Sequence, residues 1–392
     1  MKIESVDFFY LSMPTVEDIG DGSQDALLVR VQAGPHVGWG ECEASPLVTI
    51  AALVAPMSHS ACKPVRDSVL GQTVETPEDI ARIGDLVRAN SLDLLQADHA
   101  LSGIDIALWD LLGKARGEPV YRLLGYPQAY PKQPYASVLF GDTPQDTLAK
   151  ARRIAGQGFR AAKFGWGPFG KTTVRADADQ LQAAREGLGA DGALLVDAGT
   201  VWGTDVAAAR ERLAVLWQVR ATWLEEPFVS GALEAYATLA GESGGLRLAG
   251  GEGCHTVHMA RHMIDYARVG FVQIDTGRIG GITEAKRVAD HAVARGVTYV
   301  NHTFTSHLAL SASLQPYAGL REHVICEYPQ ELKSLAWELT ENHLAVDSTG
   351  HIRVPEAPGL GMTPDMQALR KYLVDVEIKV RGSVLYRTPA LA

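Results

Sequence analysis

Cysteine is scarce in this chain: there are four in 392 residues, Cys42, Cys62, Cys254 and Cys326, and no C-x-x-C pair. Reduced thiols in a cytosol are the simplest reading, with core packing rather than catalysis expected of each. No run of eighteen apolar residues occurs, so nothing is expected to span a bilayer. The opening stretch MKIESVDFFYLSMP carries charge where a signal peptide needs its apolar core, which argues against secretion and for a cytoplasmic location. Positive charge is also short. Lys and Arg number 36 against 46 Asp and Glu, and the net charge of −10 argues against nucleic-acid and membrane-surface partners. There are no low-complexity segments. What remains is ordinary globular composition, 46% hydrophobic and 21% charged, with length for about two domains.

One region is patterned. Six times between Gly192 and Glu327 a short apolar run stops at a residue able to bind a metal or move a proton: Asp197, Glu225, Glu252, Asp275, His302 and Glu327. The gaps are 28, 27, 23, 27 and 25 residues, taken from those position numbers. A strand, a covering helix and two turns need about that many, since a (β/α)8 barrel spends roughly 250 residues on eight units. ASVLF (136–140) and FRAAKFG (159–165) supply two earlier strands and bring the count to eight. Continuous apolar runs suit parallel strands buried on both faces. The spacing predicts helices at about 144–155, 175–186, 206–217, 233–239, 256–266, 282–294 and 306–314, with Thr143-Pro144 and Asp205 as helix starts.

Residues 1–128 read differently, as an α+β unit: strands in IESVDFFYL, ALLVRVQ and GWGEC, then helical stretches at about 45–70, 77–88 and 97–114. Residues 129–354 form the barrel. The tail, 355–392, includes KYLVDVEIKVRG, which reads as one further strand; with no ninth barrel position open to it, it is expected to pack back on the N-terminal unit. The predicted fold class is therefore α/β, a (β/α)8-type barrel with an α+β N-terminal domain completed by the C-terminal tail.

Polar groups at the carboxyl ends of barrel strands converge on one mouth. Asp197, Glu225 and Glu252 each read equally, taken alone, as an ordinary strand-end acid with a basic neighbour. Three in succession at matched spacing read as ligands, because carboxylates crowded together resist ionising unless a cation sits among them. All-oxygen donors suit Mg2+, with Mn2+ a substitute. Asp275 on the adjacent strand would fix the tautomer of His302 and raise its basicity, making it a general base. His258, His291 and His307 read as structural or solvated. Glu327 could exchange a hydrogen bond with a substrate oxygen, its proton affinity raised by neighbouring acids, or be a surface acid before Tyr328-Pro329. Lys163, if it points inward, could neutralise charge developing on a carboxylate; otherwise it snorkels out. Trp166 and Lys171 follow the second strand directly and are expected to line the mouth and bind substrate. The loop from Thr15 to Gln24, with Gly20 and Gly22, is expected to close over it.

With these residues named, the chain resembles the enolase superfamily in its mandelate racemase-like subgroup. The resemblance rests on SGIDIALWDLLGKARGEPVYRLLG (102–125), VDAG (196–199), WLEEP (223–227), GGE (250–252), QIDTGRIGGIT (273–283), NH (301–302), CEYP and PGLG. It implies a modified TIM barrel with a capping domain that selects substrate and one Mg2+ per subunit held by Asp197, Glu225 and Glu252. It also implies His302 as base, Asp275 as its orienter and Glu327 as a hydrogen-bond donor to the substrate carboxylate. In such proteins a base removes the proton α to a metal-held carboxylate, giving an enediolate. A homo-oligomer, dimer or octamer, is expected, with a small-molecule carboxylate as the binding partner. Two departures stand out. Where members of the subgroup often carry K-x-K, Lys163 is followed by Gly165, and the first ligand segment ends in Gly199 where Asn is common.

A base on one face cannot easily remove a proton from one side and return it on the other, whereas loss of a β-hydroxyl needs one well-placed group. The expected activity is therefore a hydro-lyase, an acid-sugar dehydratase acting on an aldonate or aldarate to give a 2-keto-3-deoxy acid. The alternatives are a racemase or epimerase that uses Lys171 as second base, and a relative that binds carboxylates without turnover.

Overall fold

A computed structural model describes residues 1–43 and 45–391. The N-terminal unit begins with three antiparallel strands, β1 (Ser5–Ser12), β2 (Asp25–Ala33) and β3 (His36–Cys42). Helices α1 (Pro46–Val54), α2 (Val65–Val69), α3 (Pro77–Asn90), α4 (Ala97–Arg116) and α5 (Val120–Leu123) follow. The 45–70 stretch is thus two short helices, not one. The long α4 runs against β3 and carries the unit onto the barrel.

The barrel alternates β4 (Gln133–Leu139), α6 (Pro144–Gly156), β5 (Ala161–Gly165), α7 (Val174–Leu188), β6 (Ala193–Asp197), α8 (Val206–Arg210) and α9 (Leu213–Gln218). It continues with β7 (Ala221–Glu225), α10 (Leu233–Glu242), β8 (Arg247–Gly250), α11 (Val257–Asp265), β9 (Phe271–Asp275) and α12 (Ile282–Arg295). Then come β10 (Thr298–His302), α13 (His307–Leu314), β11 (Ile325–Pro329) and α14 (Ser334–Glu338). Thr143 caps α6 through Asp146 N–H with Pro144 in the first turn, and Asp205 accepts from Ala207 and Ala208 N–H at the start of α8. The single helix expected over 206–217 is broken, and beside the break Arg212 turns inward to pair with buried Asp177 at 3.0 Å.

All eight strands are parallel, in the order β10-β9-β8-β7-β6-β5-β4-β11. Across the seam between β10 and β11 a side chain takes the part of a ladder: Asn301 Oδ1 accepts Glu327 N–H at 2.9 Å and the Tyr317 hydroxyl at 2.9 Å. Inside the barrel Tyr135, Ala161, Leu195, Trp223, Ala249, Phe271 and Val300, about one per strand, form a separate apolar cluster. Strand side chains alternate between faces, so the next inward residues up each strand are Ser137, Lys163, Asp197, Glu225, Gln273 and His302. An apolar floor thus carries a polar layer.

The tail departs from expectation. Residues Met366–Tyr372 are helix α15, and the strand read into this stretch is a hairpin, β12 (Glu377–Val380) and β13 (Ser383–Arg387). Arg381 and Gly382 take φ of 49° and 83°, the turn that matches the twist of a two-residue hairpin. Val374 N–H donates to Tyr10 O at 2.8 Å and Tyr386 hydroxyl to Phe8 O, which seats the tail on β1.

Candidate active site

The polar layer opens into a cavity of about 290 Å3 at the carboxyl end of the strands, lined by Lys163, Trp166, Asp197, Glu252 and His302, among others. Gly165, Asp197 and Glu225 stand level on adjacent strands, so Asp197 and Glu225 are both last residues facing one space. Glu252 is not a strand end. β8 stops at Gly250, and Gly251, at φ 128°, turns the chain so that Glu252 leaves the ladder. A Cβ on Gly251 would come within 2.7 Å of Gln273 O, so the turn requires glycine.

His302 and Asp275 are register partners at the ends of β10 and β9, with His302 Nδ1 2.7 Å from Asp275 Oδ2. Asp275 Oδ1 accepts Gly277 N–H at 2.7 Å. The carboxylate is thereby fixed, and with it the imidazole, leaving Nε2 as the exchanging nitrogen. Nε2 lies 3.0 Å from Glu252 Oε2 and 3.9 Å from Glu327 Oε2.

Lys163 points inward. Its Nζ lies 2.7 Å from Glu225 Oε1, 2.8 Å from Glu327 Oε1 and 3.8 Å from Asp197 Oδ2. The contact to Glu225 is an aligned hydrogen bond, whereas the one to Glu327 is an ion pair without hydrogen-bond alignment. Trp223 Nε1 donates to Glu225 Oε2 at 3.0 Å. Glu327 is the third residue of β11 rather than its end, and it accepts Thr303 N–H at 2.9 Å. Both of its neighbours are donors. In this arrangement its carboxylate oxygens are turned to Lys163 and Thr303.

Burial in a shared space sets the charges. The Asp197 carboxyl is pushed up to about 6 by burial and by Glu252, against Lys163. Glu225 is pushed up to about 8 by burial, then by Asp197, Glu327 and Glu252, again against Lys163. Burial, reinforced by Glu252, Asp197 and Glu225, also raises Glu226. Glu252 is lowered: His302, Arg278 and Lys163 together outweigh its burial. Burial alone would lower His302, but Glu252, Glu327 and Asp275 hold it up, at about 10.

The mutual repulsion and the all-carboxylate donors of Asp197, Glu225 and Glu252 fit a hard divalent cation. As placed, Glu225 is engaged by Lys163 and Glu252 by His302. Among the described residues no three His, Cys, Asp or Glu side chains are gathered tightly enough to hold an ion as they stand.

The two departures each have a structural counterpart. A Cβ on Gly165 would lie 2.7 Å from Asp197 Oδ2, so a side chain there would crowd this aspartate as it is placed. Trp166, at φ 56°, lays its ring between Gly199 and Gly20 of the N-terminal loop, and a Cβ on either would come within 3.0 and 2.9 Å of it. Gly199 therefore leaves room for the indole. Lys171 is exposed and stands outside the cavity lining. Ile19, Gly20, Asp21 and Gly22 of the 15–24 loop do line it.

Two charged lining residues escaped the sequence reading. Arg278 pairs with Glu43 at 3.0 Å and with Glu252 at 3.5 Å. Burial raises Glu43 to about 7, opposed chiefly by Arg278. Arg278 lies within the quoted QIDTGRIGGIT segment, three positions past Asp275, and could have been found there. Glu43 follows β3 in the other domain, where no spacing points to it.

Two family models match the chain: mandelate racemase / muconate lactonizing enzyme, N-terminal domain, over residues 10–125, and enolase C-terminal domain-like over residues 146–368. A crystal structure of a protein from Rhodobacter sphaeroides, called a predicted mandelate racemase, superposes with a TM-score of 0.96. It is 61% identical, across 99% of this chain and 100% of that one. D-galactarolactone cycloisomerase of Agrobacterium fabrum is 30% identical over 352 residues, 86% of this chain and 88% of that protein. D-galactonate dehydratase of Variovorax paradoxus is 29% identical over 283 residues, 69% of this chain and 72% of that protein.

Proposed function

The chain belongs to the mandelate racemase / muconate lactonizing enzyme family of the enolase superfamily, and on that premise we propose that it is an Mg2+-dependent dehydratase of an acid sugar. The substrate is an aldonate or aldarate and the product a 2-keto-3-deoxy acid. One observation carries the reading: a proton-transfer group, His302, stands on one face of the cavity, while Gly165 faces it without a side chain.

Asp197, Glu225 and Glu252 would hold the cation, which would supply positive charge for the substrate carboxylate; Glu252, serving as a ligand, would no longer hold a proton on His302 Nε2. Lys163 sets its ammonium beside the same carboxylate. His302 Nε2 then accepts the proton from the α-carbon, with Asp275 holding the imidazolium that forms. The β-hydroxyl leaves with that proton as water, and the resulting enol takes a proton at its third carbon while its C2 hydroxyl gives one up, becoming the keto acid. Proton and leaving group are handled by one imidazole.

A second reading has a specific support, the near full-length likeness to D-galactarolactone cycloisomerase. If the β-oxygen that departs belongs to a lactone or ring, it stays attached to the product and the same elimination isomerises instead of dehydrating. The racemase reading needs Lys171 at the substrate, and Lys171 stands outside the cavity. A homo-oligomer, dimer or octamer, belongs to the same proposal and is checked by light scattering. Among the described residues no helix is long and apolar enough to cross a membrane.

The test is a screen of aldonates, aldarates and their lactones with semicarbazide detection of 2-keto acids, followed by proton NMR of any product. Turnover of an open-chain acid supports the dehydratase, and turnover of lactones alone supports the cycloisomerase. If all are inert while another carboxylate exchanges its α-proton with D2O in a His302-dependent way, both readings fail. Ligand binding without exchange, unchanged in His302→Asn, would indicate a relative without turnover.

A further inference from the structure

A second and much smaller cavity, about 10 Å3, is shared by Asp275 and His302 with Thr276, Thr303 and Thr305 of the barrel loops and Glu41 of β3. That is about the least volume that holds one water molecule, and such a water needs two to four polar partners. Three side-chain oxygens from the lining end without a hydrogen bond: Glu41 Oε1, Thr276 Oγ1 and Thr305 Oγ1. Their residues are only 1%, 2% and 4% exposed. Thr305 stands near enough to Glu41 to steady its charge, yet neither oxygen completes the contact.

Glu41 reaches this place from the other domain. Gly40 lies so close to α4 that a Cβ would come within 2.2 Å of Gly103 O, and alternation along β3 then sends Glu41 to the opposite face. There its Oε2 accepts the Ser306 hydroxyl. Ser306 also caps α13, accepting Leu308 N–H at 3.1 Å, so Glu41 anchors the link that leads from His302 into that helix.

We propose that Glu41 is a positioning residue for the His302–Asp275 dyad, acting through one water molecule bound among Glu41 Oε1, Thr276 Oγ1 and Thr305 Oγ1. The N-terminal domain, besides covering the substrate, then holds the base in line. The kinetic part of this inference rests on His302 being the base of the proposed reaction, while the water site does not.

A high-resolution crystal structure of the full chain tests the site. Density for a water within hydrogen-bond distance of at least two of the three oxygens is expected. A dry cavity, or the three oxygens bonded directly to one another, overturns it. With whichever acid sugar or lactone the wild type turns over, Glu41→Ala is expected to lower kcat at least tenfold with KM within threefold and Mg2+ affinity unchanged. Glu41→Gln, which keeps the shape and the hydrogen bonds, is expected to recover most of kcat. Wild-type kcat in Glu41→Ala, or Glu41→Gln as slow as Glu41→Ala, overturns the positioning role. A protein that turns over none of these substrates defeats the proposed function, and the crystal structure still decides the water.

Discussion

Gly165→Ala is the sharpest probe of why one face of this site lacks a base. The added Cβ would lie 2.7 Å from Asp197 Oδ2 and 2.9 Å from Asp197 Cβ, where ordinary contact begins at 3.4 Å. Something must therefore move by 3.4 − 2.7, about 0.7 Å. Gly165 is locked in the ladder opposite Asp197, whose Oδ1 is tied to Gly199 N–H at 2.7 Å, so the aspartate takes most of the strain. Overpacking of this kind costs about 1–3 kcal/mol of stability. Metal ligation tolerates only about 0.2 Å of error in distance, so the affinity for Mg2+ is expected to fall about 10- to 100-fold, which is roughly 1.4–2.8 kcal/mol of binding. Calorimetric titration of Mg2+ into wild type and variant reads the second number, and thermal melts in EDTA read the first. Gly156→Ala serves as the control, since a Cβ there meets nothing within 4 Å. If Gly165→Ala binds Mg2+ and melts as wild type does, Asp197 yields freely and the steric account of the missing base is wrong. A wild type that binds no Mg2+ would refute the ligand assignment itself.

Four further outcomes are expected. His302→Asn should lower solvent-deuterium exchange at the substrate α-carbon by about 10²- to 10⁴-fold, the usual range for a general base, with Mg2+ binding retained. NMR exchange assays at the wild-type rate would remove His302 from that role. Trp166→Ala should raise KM more than it lowers kcat, because the indole fills the slot between Gly20 and Gly199; a pure kcat effect would argue against a substrate-binding role. Saturation with Mg2+ at 100 times Kd should stabilise the fold by about 2.7 kcal/mol, seen as a higher Tm than in EDTA, and equal melting curves would contradict the metal site. Asp105 packs on Thr283 across the domain boundary, and burial raises its pKa from 3.8 to about 7. Its folded form thus holds a proton that its unfolded form releases, so its contribution is complete below about 4 and fades as pH rises through 7. Between pH 5 and pH 8 the wild type should lose more Tm than Asp105→Asn, and parallel curves would dismiss that coupling.

The chain's own pattern determined much of this. Apolar runs at a 23- to 28-residue spacing called for eight parallel strands, and alternation along each strand decided which side chains share the interior. That is why Asp197, Glu225, Asp275 and His302 were legible as strand ends and Lys163 as an inward group. Only the tertiary structure decided that Gly251 lifts Glu252 off its strand, that Glu327 sits within β11 rather than at its end, and that Lys171 stands apart from the cavity. The same holds for Arg278 with Glu43, and for Glu41 behind the dyad. The reason is physical: a strand's period is local and repeats in the sequence, while loop turns and domain docking depend on contacts between residues from tens to hundreds of positions apart. Glu41 and Ser306, 265 residues apart, leave no periodic mark on the chain.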